Sequence, residues 1–158
     1  MNTQFAVSTQ IMTFLTFKDG VPASSEHIAG HLNTNAVVVR RLLALLKEAG
    51  LVNVHMGAQG GATLQRPARE ISLRDIYEAI QPADSDLFAL HAVKADGCSN
   101  VAQVILQRLD QVFGEAEEAM KESLAQVTVQ DIYAHTQRAM RKMGGKEKAS
   151  QSANCSGK

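Results

Sequence analysis

Residues 24–67 read SSEHIAGHLNTNAVVVRRLLALLKEAGLVNVHMGAQGGATLQRP. Ser24 and Ser25 offer side-chain oxygens that cap a short helix from Glu26 to Leu32, with Ile28, Ala29 and Leu32 turned inward. Asn33, Thr34 and Asn35 form the turn, because their side chains bond local backbone and open the next helix. That helix is expected to run to about Ala49 and stop at Gly50. Within it Val39, Leu42, Leu43 and Leu46 recur at helical spacing and define a buried stripe, leaving Val37, Val38, Arg40 and Arg41 on or beside the opposite face. Leu51 to His55 reads as a strand and Ala62 to Gln65 as its return. Between them Gly57, Gly60 and Gly61 supply the backbone freedom of a hairpin tip, and Pro67 closes the unit. Two helices, a strand, a glycine-rich tip and a strand follow the order of a winged helix-turn-helix.

Outward from this unit, Gln4 to Phe17 spaces Phe5, Ile11, Met12 and Leu15 as an amphipathic helix ended by Lys18, Asp19 and Gly20. Ser72 caps another short helix carrying Leu73, Ile76, Tyr77 and Ile80, which ends at Gln81-Pro82. Residues 82–98 are less regular, with an apolar patch at Leu87, Phe88 and Leu90. From Ser99 to about Val127 a long stripe emerges: Val101, Ile105, Leu109, Val112, Ala116, Met120, Leu124 and Val127. At the helical rise this element would span about 40 Å. Such a helix overhangs so small a chain, and pairing with the same helix of a second copy buries its stripe most simply. Thr128 caps a last helix from Val129 to about Lys142. Residues 144–158 hold no large apolar side chain and read as a disordered tail. The expected class is mainly α with a small β wing. Its divisions are a DNA-binding domain over 1–81, a sensor or connecting segment over 82–98, a dimerisation helix and C-terminal helix over 99–143, and the tail over 144–158.

The chain has 158 residues and a formal net charge of zero, which argues at first against a nucleic-acid partner, since phosphate binding needs clustered cations. Distribution matters more than the sum. Residues 1–70 carry six basic and four acidic groups, 71–126 four and ten, and 127–158 six and two. An acidic middle would be kept away from phosphates. The first residues show no secretory signal, no apolar run reaches membrane-spanning length, and the two cysteines, Cys98 and Cys155, form no disulfide framework. A cytoplasmic location and no membrane partner follow. His27 and His31 stand four residues apart on one helix, a spacing that binds metal elsewhere, but without a supporting carboxylate motif they read as surface or packing residues. No nucleophile elbow, phosphate loop or paired-acid pattern points to an enzyme.

IAGHLNTNAVVVRRLLALLKEAGLV (28–52), GAQGGATLQRPAREISLRDIYEAI (57–80) and a cysteine ahead of a long helix (98) resemble the bacterial Rrf-two family of IscR- and NsrR-like regulators. The G-x-x-G-G-x-x-L wing followed by I-S-L-x-D-I is the most specific part. The resemblance implies a homodimeric transcription factor, usually a repressor, reading a partly palindromic operator in double-stranded DNA. The cluster-binding members carry three cysteines before the dimer helix, whereas only Cys98 stands there in this chain. One thiolate is too few for an iron–sulfur cluster, although His91, Asp96 and a partner-chain group are conceivable further ligands. The expectation is therefore a cluster-free branch with no cofactor, responding to an oxidant, an electrophile or a small molecule.

The expected DNA contacts are Ser24, Ser25, Asn33, Thr34, Asn35, Val37, Val38, Arg40 and Arg41, with His55, Gln59 and Gly60 at the wing. Val37 and Val38 suit thymine methyl groups. The wing lacks the arginine that many family members carry near the tip, and Gly60 and Gly61 equally suit purely structural turn roles. Cys98, ahead of a helix start that favours a thiolate, is the redox-sensor candidate; a small buried gap-filler is its alternative role. Two rival functions remain: a protein-interaction module on a winged-helix scaffold that has lost DNA binding, and an atypical iron–sulfur regulator.

Overall fold

A computed structural model describes residues 3–57, 60–81 and 100–154, the side chains of residues 100 and 144–154 excepted. The elements are α1 (Thr3–Phe17), α2 (Ser25–Leu32), α3 (Ala36–Glu48), β1 (Val52–His55), β2 (Gly61–Leu64), a 3-10 turn (Ala68–Glu70), α4 (Leu73–Ile80), α5 (Asn100–Ala125) and α6 (Val129–Asn154). The architecture is the expected winged helix-turn-helix with a long helical arm.

Helix α1 is the central beam, burying Ile11, Met12, Phe14 and Leu15. Its threonines do not disrupt it, because Thr9, Thr13 and Thr16 each donate a hydroxyl proton to the carbonyl four residues back, at 3.0, 2.8 and 3.0 Å. Ile28 and Ala29 of α2, and Val39, Leu42, Leu43 and Leu46 of α3, pack into the same core, as do Ile71, Ile76 and Ile80 around α4. Burying a side chain of this size stabilises by roughly 1.5–3 kcal/mol, so the α3 stripe alone fixes that helix on the module.

β1 and β2 pair antiparallel in the register Val52↔Leu64, Asn53↔Thr63, Val54↔Ala62 and His55↔Gly61. The hairpin is also tied to the loop before α2, where the Ala23 N–H donates to the Ala62 carbonyl at 3.1 Å and the Ala62 N–H to the Ala23 carbonyl at 2.8 Å. That close approach leaves no room beside Gly61, where a Cβ would stand 2.6 Å from the Ala23 backbone.

A second junction joins the starts of α4 and α6. Ser72 and Thr128 form an isolated antiparallel bridge, with the Leu73 N–H donating to the Val127 carbonyl at 2.8 Å and the Val129 N–H to the Ile71 carbonyl at 2.9 Å. Each side carries its own capping box. Asp75 accepts from the Ser72 N–H at 2.7 Å and returns its own N–H to the Ser72 hydroxyl at 3.1 Å. Asp131 does the same with Thr128, at 2.9 and 3.2 Å. The Thr128 hydroxyl, then its N–H, holds the Asp131 carboxyl below the usual carboxylate range. From this junction α6 runs back along α1 and the 3-10 turn, so Val129 lies fully buried in the module core and Phe17 meets Tyr133 edge-on at 4.5 Å.

The last helix corrects one expectation. In place of the expected end near Lys142, α6 continues to Asn154. Gly144-Gly145 costs helix propensity, about 1 kcal/mol per glycine, but the Lys, Glu, Ala and Gln residues that follow are good helix formers. Among the described residues no helix is long and apolar enough to cross a membrane. Leu87, Phe88 and Leu90 lie outside the described residues, as do Cys98 and Cys155.

Replacing Gly61 with Ala should force the hairpin away from Ala23 and lower stability by about 2 kcal/mol, the usual scale of overpacking. Urea unfolding measures this, and an unchanged midpoint would contradict the close approach.

Candidate nucleic-acid interface

The exposed side of α3 begins at its cap. Asn35 has extended backbone and its Oδ1 accepts from the Val37 N–H at 2.7 Å, so the residue that opens the helix spends its carbonyl oxygen on the helix itself. The turn before it depends on Asn33, which takes the left-handed conformation with φ of 50° while its N–H donates to the Ala29 carbonyl. Asparagine tolerates this region better than most non-glycine residues. The Thr34 N–H donates to the same carbonyl at 3.0 Å. Ser24 is likewise a cap, accepting from the His27 N–H at 3.1 Å, and Ser25 donates to the Glu26 carboxylate at 3.1 Å. Four of the residues expected to contact DNA therefore also hold the helix-turn-helix in shape.

On α3 the sides separate cleanly. Val39, Leu42, Leu43 and Leu46 are buried, while Val37 and Val38 are 65% and 40% exposed and Arg40 and Arg41 are exposed. Val37 and Val38 thus leave two apolar side chains on the exposed face of α3.

A groove of about 450 Å³ runs between α3 and the wing, lined on one wall by Arg40, Ala44 and Lys47 and on the other by His55, Met56 and Gly60. Lys47 did not stand out in the sequence because it sits in the last turn of α3, where a cation also serves the helix dipole. Met56 is 95% exposed at the start of the wing tip. His55 Nε2 lies 3.4 Å from the Thr63 hydroxyl across the hairpin. Gly60 sits where a Cβ would come within 2.3 Å of the His55 carbonyl oxygen, a close backbone approach that gives it a structural role. Gln59 lies outside the described residues.

Glu26 is the residue that sequence reasoning missed. Its carboxylate pairs with Arg40 at 3.4 Å, both side chains being more than half exposed. Its own backbone N–H, the Ser25 hydroxyl and the Arg40 guanidinium hold the Glu26 carboxyl below its ordinary range. A carboxylate that stays ionised beside a candidate phosphate ligand must be displaced from it before an anion docks.

The two histidines of α2 lean on one ring, with His27 5.6 Å and His31 4.8 Å from the centre of Phe14. They pack against an aromatic rather than framing a metal, and no group of three metal-binding side chains occurs among the described residues.

Residues 1–135 match the family model described as "Rrf2: Iron-dependent Transcriptional regulator", and the chain belongs to that family. It is 35% identical to YwnA of Bacillus subtilis, an HTH-type regulator by its description, over 135 residues that make up 85% of this chain and 98% of YwnA. Among solved structures it is similar to IscR of T. potens, at 26% identity and a TM-score of 0.63 over 88% of this chain and 89% of IscR. It is also similar to CymR, the global cysteine regulator of B. subtilis, at 25% identity and a TM-score of 0.61 over 85% and 96% of the two chains. The sequence holds only two cysteines, and among the described residues the paired histidines have no third metal-binding donor beside them; Cys98, His91 and Asp96 lie outside the described residues.

Asn33→Gly should leave stability nearly unchanged, whereas Asn33→Ala should lose about 1–2 kcal/mol through left-handed strain. Thermal unfolding of both variants checks this; equal losses would mean that the side chain, not the backbone, is what the turn needs.

Proposed function

We propose that this Rrf2-family regulator is a cytoplasmic homodimeric repressor that binds a partly palindromic operator without an iron cluster. The observation that carries the reading is the two-sided α3: a fully buried stripe locks the helix down while Val37, Val38, Arg40 and Arg41 face outward beside a wing. In the major groove the valines suit thymine methyls and the arginines suit guanine edges or phosphates. Lys47 lies further along the same groove and suits the backbone. Ser24, Ser25, Thr34 and the wing residues His55, Gln59 and Gly60 take the flanking phosphates.

Dimerisation is supported by α5. Val101, Val104, Ile105, Leu109 and Val112 line one side of its first half, between 37% and 69% exposed, whereas its second half is held to α4 by Arg74, which pairs with Glu118 at 3.1 Å. An apolar stripe on an otherwise acidic helix suits the same stripe on a second copy. A signal enters through residues 82–98, where the Cys98 thiol is the proposed redox input.

A second reading, a winged-helix interaction module without DNA binding, is favoured by one observation: Glu26 occupies Arg40 in the middle of the candidate contact face. Gel shifts on the chain's own upstream DNA at two salt concentrations separate the two. For a DNA-binding regulator, replacing both Arg40 and Arg41 with Ala should cost about 2–4 kcal/mol of affinity and flatten the salt dependence by about one to two counterions. Glu26→Gln should instead tighten binding. No binding by the unaltered chain, or a salt slope unmoved by the double substitution, overturns the reading.

The dimer has its own test. Ile105→Glu should halve the mass measured by light scattering and weaken operator binding, while far-ultraviolet circular dichroism stays the same. A chain already monomeric before substitution would remove dimerisation from the proposal.

A further inference from the structure

A second concavity lies on the far side of α2 from the wing groove. It measures about 510 Å³ and is framed by α1, α2 and α6, a size within the range of sites that enclose small organic molecules. Phe17, Leu32, Ile132 and Met140 are among its apolar lining, over a mostly buried Phe14. Phe17 and Met140 are left 39% and 59% exposed, so large apolar side chains stand at its edge without cover.

The threonines in the wall deepen this character. Thr9, Thr13 and Thr136 each donate their hydroxyl proton to the carbonyl four residues back, at 3.0, 2.8 and 2.8 Å. What they keep for an outside molecule is a methyl group and an acceptor oxygen.

Among the described residues Lys18 and His31 line the wall, and no Asp or Glu does. Both groups gather at Phe14, the Lys18 ammonium 5.4 Å and the His31 ring 4.8 Å from the ring centre, and neither has an ion pair or hydrogen bond among the described residues. A cation above an aromatic floor, with no counter-charge, complements a carboxylate whose hydrocarbon part lies on that floor.

We propose that this cleft binds an amphipathic monocarboxylate, a medium-chain alkyl or aryl carboxylic acid, as an effector. The carboxylate pairs with Lys18 and is flanked by His31, and the apolar body lies along Phe14, Phe17, Ile132 and Met140. Its walls belong to the first helix of the helix-turn-helix and to the helix that continues from the arm. Occupancy therefore sets the position of α2 against α6, and through it the presentation of α3. This regulatory half rests on the DNA-binding reading; the binding half does not.

The full-length chain titrated with decanoate by calorimetry tests the binding. One decanoate per chain is expected, with 1-decanol bound at least tenfold more weakly. Lys18→Gln should weaken decanoate by tenfold or more, and Thr136→Trp, which fills the cleft, should abolish binding while the melting temperature holds. Equal affinity for acid and alcohol, or binding unmoved by either substitution, overturns the proposal. So does absence of binding, including the case in which cross-linking places a second copy over the cleft. In gel shifts decanoate should alter operator affinity of the unsubstituted chain and not of Thr136→Trp. A chain that binds decanoate but no DNA sinks the function proposed above and leaves the ligand site standing.

Discussion

The short bridge between Ser72 and Thr128 is the constraint on which the working geometry depends. Helices α4 and α6 begin there, each held by its own capping box, and two backbone hydrogen bonds cross between them. The net energy of such bonds is modest, about 1 kcal/mol each. Their weight is positional. They fix the end of the arm against the helix-turn-helix, and Arg74 fastens α4 to α5 a little further along. Without that bridge a well-formed α3 would have no defined orientation against α5 and α6.

The face that α3 presents is a compromise between shape and charge. Caps at Ser24 and Asn35 consume side-chain oxygens that would otherwise be free for a ligand. The pair between Glu26 and Arg40 is solvent-exposed, so water screens it and it contributes little. It is therefore weak enough to yield to a phosphate while lowering affinity for any polyanion that offers nothing else.

Much of this was legible in the sequence for a local reason. The α3 stripe repeats at helical period, and S-L-R-D and T-V-Q-D carry their caps within four residues. What was not legible depends on contacts between distant segments. Nothing near Ala23 announces that it pairs with Ala62, and nothing in α6 announces that it folds back on α1 to bury Val129. The pairing of Glu26 with Arg40 spans two helices and a turn. The end of α6 was misplaced because two glycines look like a stop, while the helix formers beyond them carry the element on. The contact residues were the hardest to separate, since the polar types that suit phosphates also suit caps.

The pairing of Ala23 with Ala62 gives the hairpin one clamped leg and one free end. Added residues between Met56 and Gly60 would lengthen its reach while its root stayed fastened ahead of α2. Added residues at Gly61 or Ala62 would tear that root out. Length variation is therefore admissible on one side of the hairpin only, and insertion at the tip leaves the register of α3 untouched.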